Sequence, residues 1–561
     1  MSSPSAMASS AAHSTPLQRV FQWVRMDRND MLLVLLYAVA ASIVALTIPV
    51  TVQAMVNTVA FGAVVQPVVV LAFLVFAGLA TAAFFRALQA QVVETIQERV
   101  FARTAIQLSH SLPGVDTTVH SELHGPELVN RFFDVVTIQK AGATLLVDGS
   151  SLALQTLVGM TVLAFYHPFL LAFDVVLLAA MAFVLFLLGR GAQRTAIAES
   201  KAKYATAAWL QEVLRHVLVF KTPGGRDLAV ERTRTLTESY LDGRRDHWRV
   251  LFRQIIGALA LYVVFASALI GIGGYLVLDK QLTLGQLVSA ELIVSGVLLN
   301  FSKVGKQLES LYDMLAGFDK VGHLLDLPQE AAGTSAFLER HAGPAGVTVK
   351  SVSYAHAGRD RLRDASLVVH PGERVALTGA NGSGKSTLLS MLYGLLVPVG
   401  GTVEVDGEPV HTVASRLLRA EVALVRGIEI FAGTILENVV AGRADVSNDD
   451  VRAALENMDL WNDVKALPQG IDSQVTTYGS GLSMSDARKL VLARATVGKP
   501  RLLLLDDALD ALDPPTRERV AGYLFAPDRA WTIVCATQDP AILRHCTRTV
   551  VLAHGRTEVD S

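Results

Sequence analysis

The hydrophobic pattern of the chain changes sharply near residue 300. Before that point six long apolar runs alternate with polar stretches, and each run is close to the roughly 20 residues that a helix needs to cross a bilayer. The runs occupy residues 31–55, 68–85, 145–165, 169–188, 255–278 and 284–299. The pattern therefore predicts a membrane domain of six helices followed by a soluble domain.

The connections between these runs alternate in length and charge. The first, third and fifth are short and almost free of Lys and Arg, whereas the second and fourth are long and basic. By the positive-inside rule, both termini and the long connections are cytoplasmic. We expect the long connections to continue the spans as helices, broken by turn signals at residues 113–114 and 223–225. These extensions either contact a cytosolic motor or are amphipathic surface helices without a coupling role.

Three acidic residues lie inside the predicted spans: Asp148, Asp174 and Glu291. Carboxylates are costly in hydrocarbon unless they face a cavity or a partner, so these residues are candidates for substrate or proton handling. Asp174 and Glu291 are close to the predicted outer ends of their spans. The alternative is that their side chains reach the membrane surface.

Composition limits the class of partner. The 561 residues are 51% hydrophobic and 18% charged, whereas about 25% of residues are charged in soluble proteins. The net charge of −2 gives no reason to expect a nucleic-acid partner. Cys535 and Cys546 match no metal-binding spacing, and we expect both to be reduced thiols.

A glycine-rich segment at residues 379–387 carries the clearest chemical signal. It follows an apolar strand at residues 374–378, precedes a helical stretch and matches the phosphate-binding pattern G-x-x-x-x-G-K-[ST]. Its backbone N–H groups and Lys385 are expected to face the phosphates of ATP, and the Ser386 hydroxyl is expected to ligate Mg²⁺. The remaining loop residues assigned to nucleotide binding are Gly379, Asn381, Gly382, Ser383, Gly384 and Thr387.

From residue 347 onward the chain resembles the nucleotide-binding domain of ABC transporters, and with the six spans it resembles an ABC exporter half-transporter. The resemblance covers about 530 residues. It implies an α-helical transmembrane domain fused to an α/β P-loop ABC ATPase domain. The implied division is a cytoplasmic segment at residues 1–30, the transmembrane domain at 31–323, a linker at 324–345 and the nucleotide-binding domain at 346–561.

The same resemblance assigns further residues. Tyr354 matches the aromatic that stacks on adenine, with a strand aromatic facing the core as the alternative. An apolar strand ends in Asp506, which matches the Walker B carboxylate of the Mg²⁺ shell. Asp513 belongs to the loop that links the two nucleotide-binding domains of a dimer in this family.

Three departures from the family pattern concern hydrolysis. The general-base glutamate is replaced by Asp507, one methylene shorter, and the switch histidine is replaced by Gln538. Both replacements are typical of the weakly hydrolysing site of heterodimeric exporters. The glutamine that precedes Phe431 in the family is replaced by Arg426, whose guanidinium cannot ligate Mg²⁺ but can contact a phosphate.

The signature motif, which binds the nucleotide of the opposite subunit in this family, is also altered. Ser483 keeps the hydroxyl donor, but Met484 adds bulk and Asp486 places a negative charge near a helix N-terminus that should attract an anion. A homodimer would have two altered sites. A heterodimer with an intact partner would still have one altered face at each site.

A weaker resemblance links residues 130–140 and 209–225 to bacterial exporters of the type I secretion and bacteriocin systems, many of which use a periplasmic adaptor. The N-terminal peptidase domain of some of those exporters is not expected here. The sequence thus predicts a subunit of an ABC exporter in the bacterial inner membrane. A peptide or a protein is a candidate for the exported substrate, and ATP hydrolysis is expected to be slow or asymmetric. The alternative is a non-hydrolysing regulatory or scaffold subunit that needs a partner half-transporter.

Overall fold

The chain forms two compact units in a computed structural model. The residues that it describes are 15–60, 65–116, 130–302, 304–330, 333, 343–356, 359–477 and 481–559. The units divide between residues 328 and 329, except that Asp116 belongs with the second unit. This division falls inside the predicted linker, half of which, residues 331–332 and 334–342, lies outside the described residues.

The first unit is helical, and the prediction of six spans is confirmed. The helices that are long and apolar enough to cross a membrane are Arg28–Val59, Gln66–Gly114, Arg131–Tyr166, Pro168–Arg215, Pro223–Leu278 and Leu284–Leu325. Many of their large apolar side chains are exposed, for example Phe165 and Phe186. Lipid is the solvent that suits such a surface, because each backbone polar group is already satisfied within its helix.

The individual α-helices of this unit are α1 Pro16–Met26, α2 Arg28–Ala45, α3 Thr47–Ala60, α4 Val65–Ser111, α5 Asp134–Thr144, α6 Ser150–Tyr166, α7 Pro168–Ala182, α8 Ala192–Arg215, α9 Val217–Phe220, α10 Pro223–Leu278, α11 Leu284–Ser302 and α12 Val304–Leu325. Single π-helical turns at Leu145–Gly149 and Phe183–Leu187 connect α5 to α6 and extend α7.

The helices continue beyond the apolar runs, as predicted. Helix α10 has 56 residues, which is about 84 Å at 1.5 Å per residue and far more than the roughly 30 Å of a hydrocarbon layer. Helix α4 ends at Ser111 and passes into the 3-10 turn Leu112–Gly114. The start of α10 is capped by the hydroxyl of Thr222, which accepts a hydrogen bond from the N–H of Gly225 at 3.1 Å. The predicted turn signals therefore mark real breaks, whereas a coupling role of the extensions stays a prediction.

The predicted acidic candidates have different surroundings. Asp174 is buried on α7, and neither of its carboxylate oxygens has a hydrogen-bond partner among the described residues. It borders a largely apolar cavity of about 760 Å³. Glu291 accepts a hydrogen bond from the Ser295 hydroxyl at 2.5 Å, and Asp148 borders a more polar cavity of about 660 Å³. Asp174 thus faces the interior of the unit rather than its surface, and the roles of all three residues stay predictions.

The second unit is an α/β domain. Its strands are β1 Val347–His356, β2 Arg359–Val369, β3 Arg374–Thr378, β4 Gly400–Val405, β5 Glu408–Pro409, β6 Val422–Arg426, β7 Gly433–Thr434, β8 Gln474–Val475, β9 Leu502–Asp506, β10 Thr532–Ala536, β11 Arg548–Ala553 and β12 Arg556–Val559. Its helices are α13 Lys385–Leu392, α14 Ser415–Glu421, α15 Ile435–Val440, α16 Asn448–Asn457, α17 Trp461–Ala466, α18 Met484–Val497, α19 Pro514–Leu524 and α20 Pro540–Leu543.

The central sheet of this unit has the order β12-β11-β3-β10-β9-β6. Strands β11, β3, β10, β9 and β6 run parallel, and β12 pairs antiparallel at the edge. All five residues of β9 and of β10 are buried, which explains their continuous apolar sequence, because parallel strands are covered on both faces. A second, antiparallel sheet has the order β2-β1-β4-β5.

Candidate functional site

The candidate residues for phosphate, metal and water lie at the carboxyl edge of the central sheet, where ligands bind in open α/β sheets. Strand β3 leads into the phosphate loop, β6 ends at Arg426 and β9 ends at Asp506. Strand β10 leads directly to Thr537 and Gln538. The sheet order thus brings together residues that lie up to about 160 positions apart in the sequence.

The phosphate loop has a shape that only glycine permits at two positions. Gly379 has φ of 138°, and a Cβ there would lie 2.2 Å from the carbonyl oxygen of Leu552. Gly384 has φ of 109°, and its Cβ would lie 2.6 Å from Leu362 Cδ2. Side chains are both conformationally and sterically excluded at these two positions, so the loop keeps an open cradle of backbone N–H groups.

Charged and polar groups of the phosphate loop are arranged so that an anion can bind. The buried Lys385 ammonium donates hydrogen bonds to the carbonyl oxygens of Gly379 at 2.7 Å and Ala380 at 3.2 Å, which hold it over the loop. The hydroxyl of Ser383 is buried and has no hydrogen-bond partner among the described residues. A buried polar group normally has a partner, and the oxygens of a bound phosphate would provide one. The loop residues therefore fit the triphosphate of ATP.

The residues predicted to hold Mg²⁺ are close together, but the positively charged guanidinium of Arg426 lies beside them. The Ser386 hydroxyl donates to Asp506 Oδ1 at 2.8 Å, which is the expected pairing of a metal-binding serine and carboxylate. Arg426 Nε lies 3.1 Å from Asp506 Oδ2, and another guanidinium nitrogen of Arg426 donates to the Ser390 hydroxyl at 3.1 Å. Since the guanidinium is a permanent positive charge with no acceptor, this set of residues does not fit the magnesium site of the family.

Asp507 follows the Walker B strand in a strained backbone conformation. Its φ is 48°, in the left-handed region that Asp tolerates better than most residues. Partial desolvation and the adjacent Asp506 carboxylate raise the pKa of Asp507, while Lys385 and Arg488 act in the opposite direction. An exposed carboxylate with a raised pKa is suited to accept a proton from water. Its assignment as general base stays a prediction.

Gln538 contacts the phosphate loop directly. Its side-chain amide donates to the carbonyl oxygen of Gly379 at 2.7 Å, the same oxygen that accepts from Lys385. A neutral amide in this place orients the loop but carries no charge for the terminal phosphate.

Ser483 and Asp486 of the signature segment form hydrogen bonds with each other. Ser483 caps α18, and its hydroxyl donates to the Asp486 carboxylate at 2.6 Å while accepting from the Asp486 N–H at 3.0 Å. The carboxylate also pairs with the buried Lys489 at 2.7 Å. The Ser483 hydroxyl therefore already donates its proton to Asp486, and the exposed Met484 lies between the two residues in the chain.

Two predicted binding residues have other roles in the described structure. Tyr354 packs against the apolar core of the domain and borders a cavity of about 290 Å³, whose lining includes no residue of the phosphate loop. These contacts favour the alternative in which it is a core aromatic. Asp513 caps α19 by accepting from the N–H of Thr516 at 3.2 Å. Their assignments to adenine and to the dimer loop stay predictions.

Four residues to which the sequence assigns no role in the site complete these contacts. Ser390 receives the Arg426 guanidinium, and Lys489 neutralises Asp486. Arg488 donates to the carbonyl oxygen of Gly427 at 2.8 Å, and the Thr537 hydroxyl donates to Asp510 at 3.4 Å. Only Lys489 had a local signal, because it stands three residues after Asp486 on one helix face.

Known proteins agree with this architecture. Residues 362–510 match the family model of the ABC transporter domain. The chain is 32% identical over 309 residues to an ATP-dependent lipid A-core flippase of Burkholderia pseudomallei (strain 1710b), covering 54% of this chain and 50% of the relative. It is 29% identical over 316 residues to the mycobactin import ATP-binding/permease protein IrtB of Mycolicibacterium thermoresistibile, covering 56% and 54%. The chain thus spans about half the length of the curated relatives it matches.

A solved structure extends the likeness in fold to both units. The structure of a bacterial Atm1-family ABC exporter with ATP bound aligns with a TM-score of 0.83, covering 95% of this chain and 94% of that chain at 21% identity. The second unit is an ABC transporter nucleotide-binding domain. Together with the six apolar helices before it, this domain gives the chain the half-transporter architecture of ABC exporters.

Proposed function

We propose that the chain is the ATP-binding transport subunit of an ABC exporter and couples ATP binding to movement of a substrate across the bacterial inner membrane. The observation that carries the proposal is the phosphate loop on a chain with six apolar spans. In that loop Lys385 donates hydrogen bonds to two loop carbonyls, beside the Ser383 hydroxyl, which has no partner in the described part of the chain. The basic second and fourth connections support a cytoplasmic nucleotide-binding domain and cytoplasmic termini.

The site is expected to bind ATP better than it hydrolyses it. Lys385, Ser383 and the loop backbone would hold and orient the phosphates. Asp507 is the residue placed to take a proton from water, but its carboxylate is one methylene shorter than that of glutamate, and a misplacement of about 1 Å can lower a rate about 100-fold. We therefore propose slow hydrolysis.

The working unit is proposed to be a dimer, because the family builds each nucleotide site from a phosphate loop and the signature of the opposite subunit. The internal pairing of Ser483 with Asp486 favours a second candidate function, a regulatory subunit that needs a different half-transporter to form one effective site. A periplasmic adaptor is a further proposed partner.

The substrate class is proposed from two different sources. The weak resemblance to type I secretion and bacteriocin exporters points to a peptide or protein. The names of the relatives refer instead to lipid A-core and to mycobactin. We propose to test both classes by the stimulation of ATP turnover in reconstituted vesicles, with the lipid and the peptide added separately.

ATP turnover of the purified chain, reconstituted without a partner, tests the proposal. We expect slow turnover, well below the typical enzyme rate of about 10 s⁻¹, that disappears in Lys385→Ala. Turnover near that rate would refute slow hydrolysis and the need for a partner. ATP binding without any turnover would favour the regulatory subunit, and absence of ATP binding would refute both functions.

A further inference from the structure

We propose that the guanidinium of Arg426 takes the place of the divalent cation in this nucleotide site, so that the chain binds a nucleoside triphosphate without Mg²⁺. The inference rests on the ATP binding proposed above and concerns the chemistry of that same site. It gives Arg426 a role in cation dependence, since the residue would let the site bind ATP equally well with and without Mg²⁺.

The position of Arg426 follows from the sheet and not only from its side-chain conformation. Strands β6 and β9 are parallel neighbours, and their register pairs Arg426 with Asp506 as the final residues of the two strands. Asp506 is the carboxylate that the family uses for its metal. An arginine at this position of β6 therefore begins its side chain beside the Walker B carboxylate.

Both oxygens of that carboxylate are engaged. Oδ1 accepts from the Ser386 hydroxyl at 2.8 Å, and Oδ2 lies 3.1 Å from Arg426 Nε. Asp506 is buried, so this pairing satisfies a charge that would otherwise lack a counter-ion. A Mg²⁺ ion at the same carboxylate would lie within a few ångströms of a permanent positive charge, which repels it.

The residues that would coordinate Mg²⁺ also lack one of the oxygen ligands that the family provides. Mg²⁺ requires nearly octahedral oxygen coordination, and the family supplies one oxygen from the glutamine whose position Arg426 occupies. No glutamine stands between residues 401 and 468 to replace it. The substitution thus removes a metal ligand and adds a cation at one position.

The guanidinium retains capacity for a phosphate. It has five N–H donors in a planar fork that matches phosphate oxygens, and the described contacts engage it through Asp506 and Ser390. Its side chain is 49% exposed, so a ligand in the loop can reach the remaining donors. With Lys385, it would give the triphosphate two fixed positive charges.

The test is equilibrium binding of a fluorescent ATP analogue to the purified full-length chain, measured with excess Mg²⁺ and with excess EDTA. For the natural chain we expect dissociation constants that agree within about 3-fold. For Arg426→Gln we expect binding at least 10-fold weaker in EDTA than the natural chain, because a charge-assisted hydrogen bond is lost, and at least partial recovery with Mg²⁺. Arg426→Lys should remain independent of Mg²⁺, since it keeps the charge.

Arg452→Gln is the matched control, because Arg452 forms an exposed ion pair with Glu456 on α16. This substitution should leave the dissociation constants in Mg²⁺ and in EDTA unchanged. Binding by the natural chain that falls more than 10-fold in EDTA would overturn the inference, and this measurement needs no variant. An Arg426→Gln chain that binds equally well in EDTA would overturn it too. If the natural chain binds no nucleotide under either condition, the proposed function itself fails, which is a different result from binding only with Mg²⁺.

Discussion

Replacing Lys385 tests whether the loop binds phosphate in the way that its geometry indicates. The buried ammonium donates to the carbonyl oxygens of Gly379 and Ala380, and a bound triphosphate would become its principal partner. A hydrogen bond to a charged group contributes about 1.5–3 kcal/mol. Loss of the ammonium should therefore weaken ATP binding about 10- to 100-fold, and more if Lys385 contacts two phosphate oxygens.

The structural cost of the same change should be small. The carbonyl oxygen of Gly379 keeps a second donor, the side-chain amide of Gln538 at 2.7 Å. The carbonyl of Ala380 is at an exposed position of the loop and can turn to water. We therefore expect Lys385→Ala and Lys385→Met to lower affinity strongly with little change in the thermal unfolding midpoint.

The assay is equilibrium binding of a fluorescent nucleotide to the full-length chain, with thermal unfolding measured on the same samples. Lys350→Ala is the matched control, because Lys350 forms an exposed ion pair with Glu404 on the second sheet and should leave affinity unchanged. Dissociation constants within 3-fold of the natural chain for both Lys385 variants, at unchanged stability, would refute the role of the loop.

Three further predictions follow from the altered residues. Asp507→Glu alone should change ATP turnover little. The triple change Arg426→Gln, Asp507→Glu and Gln538→His should raise turnover at least about 10-fold in a steady-state assay, because the effects of residues that act as a unit are not additive. Equal turnover by the triple variant and the natural chain would contradict this prediction. Asp486→Ala should destabilise the chain by about 1–3 kcal/mol in denaturant unfolding at neutral pH, because the buried Lys489 loses its nearest counter-ion. The pKa of Asp486 is lowered in the folded state, so this stabilisation is present above the unfolded pKa, and the difference from the variant should vanish as the pH falls through the folded pKa. Asp507→Asn should raise the free energy of unfolding at pH 7 by less than about 1 kcal/mol after solvent screening. The pKa of Asp507 is raised, so its ionisation opposes folding as the pH rises above the unfolded value, and the gain should be absent at pH 3.

The features that could be predicted from the sequence are those with a local signal. Each span is a continuous apolar run of about one bilayer thickness, and the phosphate loop combines glycine spacing with an adjacent strand and helix. The turn at Thr222, before α10, was likewise visible as a Pro-Gly-Gly sequence. None of these features depends on a contact between distant residues.

The sequence could not specify the charged pair of Arg426 with Asp506, because that pair depends on tertiary structure, whereas the pair of Asp486 with Lys489 is local to one helix. Arg426 was identifiable as a replacement for glutamine, but its contact with Asp506 requires that β6 and β9 be neighbours in register. From the sequence, Asp486 places a negative charge near a helix N-terminus that should attract an anion. The structure shows the carboxylate bonded to Ser483 and paired with Lys489, so the Ser483 hydroxyl is occupied within its own chain.

The altered residues are not spread evenly over the site, and their distribution separates binding from hydrolysis. Lys385 and the loop glycines, which are suited to phosphates, have the geometry that binding requires. The replacements instead concern the positions that the family uses to coordinate the metal, to activate water and to bind the nucleotide of the opposite subunit. A ligand shifts a conformational equilibrium only by its difference in affinity for the two states, and hydrolysis is not needed for that shift. If hydrolysis is as slow as Asp507 and Gln538 imply, dissociation of ATP would limit return to the open state. In the proposed exporter, the rate of the cycle would then follow the residence time of ATP, to which the proposed contact of Arg426 with phosphate would contribute.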